Sequence, residues 1–208
     1  MKSIVTSLFI LLNTLCFAQI TAITSKGDEV VLYDNGTWKY AGKEAPSKPI
    51  EENKTPFVKS KDATFPLQSK TVSATVNIDP KKWTFKKGEE GAASEYQFQM
   101  KASDAYAMLI TERIEIPIES LKQIAIDNAK NVAPDIEVVK QDYRMVNGTK
   151  VLFMQMNGTI QGIKFSYLGY YYSNPAGTVQ FITYTAQNLL PDYQGELMTL
   201  LNGIEFTK

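Results

Sequence analysis

Carboxylate, hydroxyl and amine side chains are the groups from which any chemistry of this chain would have to come. The 208 residues include no histidine and a single cysteine, Cys16. Without histidine, the pairs that activate a serine or cysteine nucleophile cannot form, and zinc lacks its usual ligands. The sequence contains no G-x-S-x-G, S-x-x-K, P-loop, G-x-G-x-x-G or D-x-D-x-D spacing. We therefore expect no enzyme, no cofactor and no metal site.

Glu112 is the carboxylate with the most unusual neighbours in the sequence pattern. In a strand over residues 106–116, alternation places it on a face otherwise made of tyrosine, methionine and isoleucine. A carboxylate buried there would have a raised pKa unless a cation were paired with it, and Arg144 or Arg113 could be that cation. Two interpretations are open: a buried acid or ligand anchor, and a structural ion pair or a bulge that turns the side chain outward.

A run of tyrosines, FSYLGYYYSNPAG over residues 165–177, is the second candidate. Alternation places Tyr170 and Tyr172 on the more polar face of this strand, where half-exposed phenols would suit a binding groove or an interface. Tyrosine also has a high strand propensity, so ordinary sheet packing is the competing interpretation.

The N-terminal residues predict export. Residues 1–18 combine Lys2, a short apolar run and the small residues of a cleavage site before Gln19, as in a secretory signal peptide. The run is too short to span a bilayer, so we expect no transmembrane segment after cleavage. Leu15 directly before Cys16 disfavours a lipid anchor on that cysteine. We expect a periplasmic or extracellular protein.

Residues 19–41, which we call the head, predict a small β-meander. Three short β-branched and aromatic runs are separated by Lys26-Gly27-Asp28 and by Asn35-Gly36, a strong hairpin signal. So small a sheet is not stable alone, and Trp38 and Tyr40 therefore become candidate docking residues. Asn35-Gly36-Thr37 also fits a glycosylation signal, but turn chemistry explains the pair without sugar.

Residues 42–64 predict a disordered linker, because three prolines, five lysines and three glutamates leave little to bury. Residues 65–208, which we call the body, predict a run of strands with one helix over 118–132 and another near the C-terminus. Asn147-Gly148 and Gln161-Gly162 predict tight turns. The pattern indicates an α+β fold, an antiparallel sheet with helices on it, and apolar residues on both faces of 149–160 favour a layered α/β/α arrangement.

The body resembles the PsbP-like superfamily, which includes photosystem extrinsic subunits, a Ran-binding nuclear transport factor and small exported bacterial proteins. The resemblance lies in VNIDPKKW (76–83), ITERIEIPIESL (110–121), VNGTKVLFMQM (146–156) and LMTLLNGIEF (197–206). It implies partner binding and no shared catalytic residues. The head, with KGDEVVLYDNGTWKY, is similar to a short DGTW-type module of secreted Bacteroidetes-type proteins.

The charge balance bears on the class of partner. The chain carries 22 Lys and Arg against 22 Asp and Glu, and only Arg113 and Arg144 are arginines. Removal of Lys2 with the signal peptide leaves 21 cations and a net charge of −1, which attracts neither nucleic acid nor anionic lipid. We expect a non-enzymatic binding or assembly protein of the bacterial envelope that recognises a protein or envelope component. The alternative is a small-ligand or lipid carrier, or an unrecognised hydrolase, with a cavity between sheet and helix.

Overall fold

The computed structural model describes residues 20–24, 27–32, 38–41, 49–89 and 91–207. The chain divides into two units, residues 1–45 and 46–208, and each is described by itself. The expected signal peptide, the Asn35-Gly36 turn and the side chain of Trp38 lie outside the described residues. No helix in the described ranges combines the length and the apolar character that crossing a membrane requires.

Three short antiparallel strands make up the described part of the first unit. They are β1 (Ile20–Ile23), β2 (Glu29–Leu32) and β3 (Trp38–Tyr40), in the order β1-β2-β3. Val30 lies opposite Ala22 and Tyr40, and Leu32 opposite Ile20 and Trp38, so these positions share one face. Val30 at its centre is buried, whereas Tyr40 is 52% exposed.

The second unit is built on an eight-stranded sheet, which confirms the expected α+β class. Its strands are β4 (Glu52–Phe57), β7 (Trp83–Lys87), β8 (Tyr96–Met100), β9 (Ala105–Glu112), β10 (Glu137–Val146), β11 (Thr149–Ile160), β12 (Ile163–Asn174) and β13 (Gly177–Ala186). They lie in the order β4-β10-β11-β12-β13-β9-β8-β7 and are antiparallel except for the β4–β10 pair.

A smaller sheet and two helices complete the second unit. The smaller sheet has the order β14-β6-β5, from β5 (Phe65–Gln68), β6 (Ala74–Ile78) and β14 (Ile204–Phe206). The helices are α1 (Ile118–Val132), with the predicted bounds, and α2 (Leu190–Leu201), which a 3-10 turn over Gln187–Leu189 precedes.

Two-residue turns set the register of the central strands, as the sequence predicted. Asn147 and Gly148 have φ of 49° and 85°, and Gln161 and Gly162 have φ of 49° and 82°. Positive φ at both central positions is the type I′ conformation, whose twist matches that of paired strands. The pairs Val146–Thr149 and Ile160–Ile163 therefore close the β10–β11 and β11–β12 hairpins.

The two helices pack with alternate residues of the same strands. Leu121 and Ala125 of α1 form a buried cluster with Leu152, Met154 and Tyr171. Three leucines of α2 instead belong to the main core, which includes Val151, Phe153, Leu168, Tyr170 and Phe181. Because neighbouring strand residues point to opposite faces, α1 and α2 lie on different faces of the sheet.

The prediction of a disordered linker to residue 64 was wrong for residues 49–64. β4 pairs in parallel with β10, and the backbone amide of Asn147 donates to the carbonyl of Phe57 at 2.9 Å. Phe57 packs against the main core and Ile50 against the α1 cluster. Local composition missed this strand because its stabilising partners lie about 90 residues away in the sequence. Residues 42–48 lie outside the described residues.

Candidate functional site

Tyr170 is a core residue, so the expectation that it is half exposed was wrong. Its side chain is 1% exposed and its hydroxyl donates to Oδ1 of Asn202 at 2.7 Å. Burial raises the pKa of Tyr170 to about 12. Its ring belongs to the main core on the α2 side of the sheet, which includes three leucines of that helix. A partner therefore cannot reach Tyr170 in this structure.

Tyr172 lies on the same face and is half-buried. Its ring centroid is 4.1 Å from that of Phe206, and its hydroxyl accepts a hydrogen bond from Nδ2 of Asn174 at 3.2 Å. These contacts join the end of β12 to the C-terminal strand. They support sheet packing as the role of Tyr172.

Glu112 is exposed at the end of β9, so it is not a buried acid. Neither arginine forms an ion pair with it among the described residues. Arg113 donates to the carbonyls of Lys70 and Thr71, at 3.0 and 3.2 Å, and Arg144 binds Asp142. The face of β9 that the sequence pattern marked as apolar remains partly open at this end.

Arg144 and Asp142 form a buried ion pair instead. The two side chains lie on neighbouring same-face positions of β10, with Nε of Arg144 2.5 Å from Oδ1 of Asp142. The guanidinium carbon lies 3.4 Å from the ring centroid of Phe153 and 4.7 Å from that of Phe57. The two charges neutralise each other, both residues are buried, and aromatic rings cover the guanidinium, so this pair is structural.

Half-buried aromatic residues do gather on the opposite, α1 side of the sheet. The strand registers place Tyr167 of β12 opposite Tyr184 of β13, and Tyr184 opposite Tyr106 of β9. We call these three residues the tyrosine row. Their ring centroids are 5.8 Å apart for Tyr167 and Tyr184 and 5.5 Å apart for Tyr184 and Tyr106.

The open part of this face extends from the tyrosine row to the sheet edge. A helix about 10–12 Å wide covers only two or three strands of a sheet whose eight strands span roughly 34 Å. Helix α1 packs over β11 and β12, and the surface beyond it is formed by half-buried or exposed residues of the next three strands. These are Tyr184, Tyr106, Met108, Gln97 and Gln99. Ile182 lies at the border, where it packs against the α1 cluster.

Partial burial perturbs two phenols of the tyrosine row. Burial, and to a smaller extent the neighbouring Tyr184, raises the pKa of Tyr167 to about 12. Burial, and to a smaller extent the neighbouring Tyr106, also raises the pKa of Tyr184. Both phenols therefore stay protonated at neutral pH, and the row presents neutral rings and hydroxyl groups. Such a surface can bind by apolar contact and hydrogen bonding, but it holds no nucleophile or general base.

The sequence interpretation missed Tyr106 and Tyr184 as site residues. The alternation that places Tyr170 on one face of this strand places Tyr167 on the other, and the structure has them so, but the face of Tyr170 was wrongly expected to be the exposed one. The signal in the sequence was that large side chains two residues apart share one strand face: Tyr106 and Met108 in one strand, Ile182 and Tyr184 in another. Only the strand order brings these residues together, because β13 lies between β12 and β9.

A shallow cleft lies elsewhere, where the smaller sheet meets α2. It has a volume of about 30 Å³ and is lined by residues that include Asp79, Lys82, Trp83 and Glu196. Lys82 and Glu196 form an ion pair across it. Small-molecule sites usually have about 300–1,000 Å³. Within the described residues, no group of three or more acidic, histidine or cysteine side chains is arranged to hold a metal ion.

Comparison with known proteins shows the fold. No protein-family model matches the chain, and no curated protein matches it in sequence. The solution structure of cyanobacterial PsbP (CyanoP) from Synechocystis matches at 11% identity with a TM-score of 0.55, covering 69% of this chain and 92% of that one. LpqN, involved in cell envelope biogenesis of Mycobacterium tuberculosis, matches at 10% identity with a TM-score of 0.47, covering 69% and 90%.

A Bacteroides thetaiotaomicron protein matches at 11% identity with a TM-score of 0.43, covering 69% of this chain and 48% of the other. At such identities only the fold can be compared. The likeness to CyanoP confirms the PsbP-like fold that the sequence motifs of the body indicated.

Proposed function

We propose that this is an exported, non-enzymatic binding or assembly protein that recognises a protein or another envelope component through the tyrosine row. The proposal keeps the plan expected from the sequence: a signal peptide over 1–18, a DGTW-type head and a layered PsbP-like body. The tyrosine row is the observation that carries it. Tyr167, Tyr184 and Tyr106 lie side by side on three neighbouring strands. Tyr184 and Tyr106 lie beyond α1, whereas Tyr167 lies at the border and packs against the cluster of Ala133, Ile136 and Met156 at the end of that helix.

Tyrosine suits this role on physical grounds. Each ring supplies a large apolar surface with few rotatable bonds, so little side-chain entropy is lost on binding, and its hydroxyl adds a hydrogen bond. The neighbouring Gln97 and Gln99 supply uncharged donors and acceptors. The row and its neighbours Ile182 and Met108 carry no charge, so recognition would rest on shape and hydrogen bonding.

The carrier alternative has less support. A lipid or small-molecule carrier needs an enclosed apolar space, and the cleft beside Trp83 holds only about 30 Å³. Leu152, Met154 and Tyr171 fill the space between α1 and the sheet, with exposed fractions of 1% or less. The exposed Glu112 also removes the buried acid on which a hidden ligand anchor would depend.

The experiment compares capture of envelope components by three forms of the protein. The Tyr106→Ser/Tyr184→Ser variant removes two rings of the row. A control variant, Met145→Ser/Ile163→Ser, removes two apolar side chains that are 45% and 54% exposed elsewhere on the sheet. We expect one component to bind the wild type and the control, and to bind the row variant at least about tenfold more weakly. Equal capture by all three forms would reject the tyrosine row as the binding surface.

A further inference from the structure

The outer edge of β7 is a second surface without a partner in the described part of the chain. β7 is the last strand of the eight-stranded sheet, and among the described strands it pairs with β8 alone. The amide of Lys101 donates to the carbonyl of Lys82 at 2.8 Å, and the amide of Gly88 donates to the carbonyl of Glu95 at 2.9 Å. Along each strand of an antiparallel pair, the backbone amide and carbonyl groups of every second residue point to the neighbouring strand. In and beside β7 these are the even-numbered residues from Lys82 to Gly88. The amide and carbonyl groups of Phe85 and Lys87 therefore point away from the sheet.

Two phenylalanines stand beside these outward backbone groups. Phe85 of β7 is 40% exposed and Phe65 of β5 is 42% exposed, with ring centroids 5.7 Å apart. Phe85 also makes an edge contact of 6.2 Å with Tyr96, so its ring is held in place. Charged side chains or proline usually protect a free strand edge, because an apolar edge recruits other strands. The exposed Lys86 and Lys87 of β7 protect this edge against pairing with itself. The aromatic pair beside them offers apolar contact to a strand of opposite charge.

The charge of the edge selects the chemistry of that strand. Lys86 and Lys87 are both exposed, and neither forms an ion pair with a residue in the described ranges. The nearby Glu95 accepts hydrogen bonds from Ser69 and Thr111, and Glu89 follows only after the strand has ended. An acidic segment would complement the two lysines, since opposite charges on adjacent strands stabilise a sheet.

A second copy of the chain fits this edge less well. Pairing of β7 with itself would bring four lysines, Lys86 and Lys87 of each copy, along one short ladder. Like charges on adjacent strands are destabilising. The lysines therefore favour a different, acidic partner over self-association.

We propose that β7 is a strand-addition site for an extended acidic segment of another protein. The added strand would pair with the outward amide and carbonyl groups of Phe85 and Lys87, place glutamate or aspartate beside Lys86 and Lys87, and rest an aliphatic side chain on Phe65 and Phe85. Main-chain pairing supplies affinity in such complexes, and side-chain pockets supply specificity. The site is separate from the tyrosine row.

The test uses a capped peptide, Thr-Val-Glu-Glu-Val-Thr, which reads identically in both strand directions. Its controls are Thr-Val-Lys-Lys-Val-Thr and Thr-Val-Glu-Pro-Val-Thr, which reverse the charge and remove one amide donor. Amide hydrogen exchange is followed by NMR on the protein. We expect the acidic peptide to slow exchange at Phe85 and Lys87 at least tenfold, without a comparable change at Thr84 and Lys86, whose amides already face β8. The controls should have little effect.

A charge-reversal variant separates recognition from loss of folding. Both positions of the Lys86→Glu/Lys87→Glu variant are exposed, so we expect its thermal unfolding to be unchanged. We expect this variant to bind the lysine peptide in preference to the glutamate peptide. Three results would overturn the proposal: no slowed exchange with the acidic peptide, equal effects of all three peptides, or no switch in the variant. Exchange is also measured without peptide at several protein concentrations. If exchange at Phe85 and Lys87 slows as the protein concentration rises, a second copy of the chain is the occupant, and this result would also overturn the proposal.

Discussion

The side-chain amide of Asn147 donates a hydrogen bond of 2.7 Å to the backbone carbonyl of Ile204. The same Nδ2 donates to the carbonyl of Asn202 at 2.9 Å, and Oδ1 accepts from the backbone amide of Lys59 at 2.8 Å. One turn residue thus joins the β10–β11 hairpin to the end of α2, to β14 and to the segment after β4. Its side chain links three parts of the second unit that are distant in sequence.

Replacing Asn147 by glycine should destabilise the protein through the loss of these hydrogen bonds alone. Glycine accepts the positive φ of 49°, so the turn itself is unstrained. We expect a loss of about 1–3 kcal/mol in the free energy of unfolding, because buried carbonyls lose their donors. Urea unfolding measures this. Gln161→Gly is the matched control, since Gln161 has the same φ and an exposed side chain, and a similar loss there would contradict the explanation.

Removing the hydroxyl groups of two adjacent tyrosines should have effects of opposite sign. Tyr170 donates to Asn202, so Tyr170→Phe should lower the free energy of unfolding by about 1 kcal/mol. The fully buried hydroxyl of Tyr171 has no hydrogen-bond partner among the described residues, so Tyr171→Phe should raise the free energy of unfolding by a similar amount. Thermal unfolding of both variants is the measurement. Equal destabilisation by the two changes would show that Tyr171 has a partner.

The buried pair of Arg144 and Asp142 predicts a strongly non-additive result. Arg144→Met leaves Asp142 without its cation in the core and should cost about 3–5 kcal/mol. Asp142→Leu/Arg144→Met removes both charges, so we expect it to be less destabilised than the single variant. Denaturant unfolding of Arg144→Met, Asp142→Leu and the double variant tests this. A double variant that loses the sum of the two single effects would argue against coupling between the charges.

Alkaline pH should unfold the protein as buried phenols ionise. Burial raises the pKa of Tyr167 and of Tyr170 from 10.0 to about 12. The unfolded chain releases these protons near pH 10 and the folded protein near pH 12, so this contribution to stability is complete below about pH 10 and is lost as pH rises towards about 12. Tyrosinate absorbance, followed together with circular dichroism, should show a late ionisation step that coincides with loss of structure. A single step near pH 10 with native dichroism would contradict this.

Local patterns in the sequence predicted where helices and turns lie better than they predicted which strands pair with each other. Periodicity and turn chemistry act within a few residues. They were enough to predict the bounds of α1, the α+β class and the turns at Asn147-Gly148 and Gln161-Gly162. The strand β4 could not be predicted in this way, because its parallel pairing with β10 depends on residues about 90 positions away.

The candidate site was harder to predict for the same reason. Alternation sorts Tyr167 and Tyr170 onto opposite faces, but it does not say which face a helix covers. Tyr170 is covered by α2 and Asn202. Tyr167 packs against the cluster at the end of α1, and it borders an open surface because β13 and β9 follow β12 in the sheet. Strand order is a non-local property, and no pattern within one strand encodes it.

Site-specific photo-crosslinking tests the central claim most directly. A benzoylphenylalanine replaces Tyr106 or Tyr184 in the tyrosine row, and Met145, which is 45% exposed on β10, serves as the control position. On irradiation with the envelope fraction, we predict that both row positions join to the same component and that position 145 does not. The purified component should then bind the wild type more tightly than Tyr106→Ser/Tyr184→Ser. Crosslinks that are equal at all three positions, or that occur only at position 145, would contradict recognition through the tyrosine row.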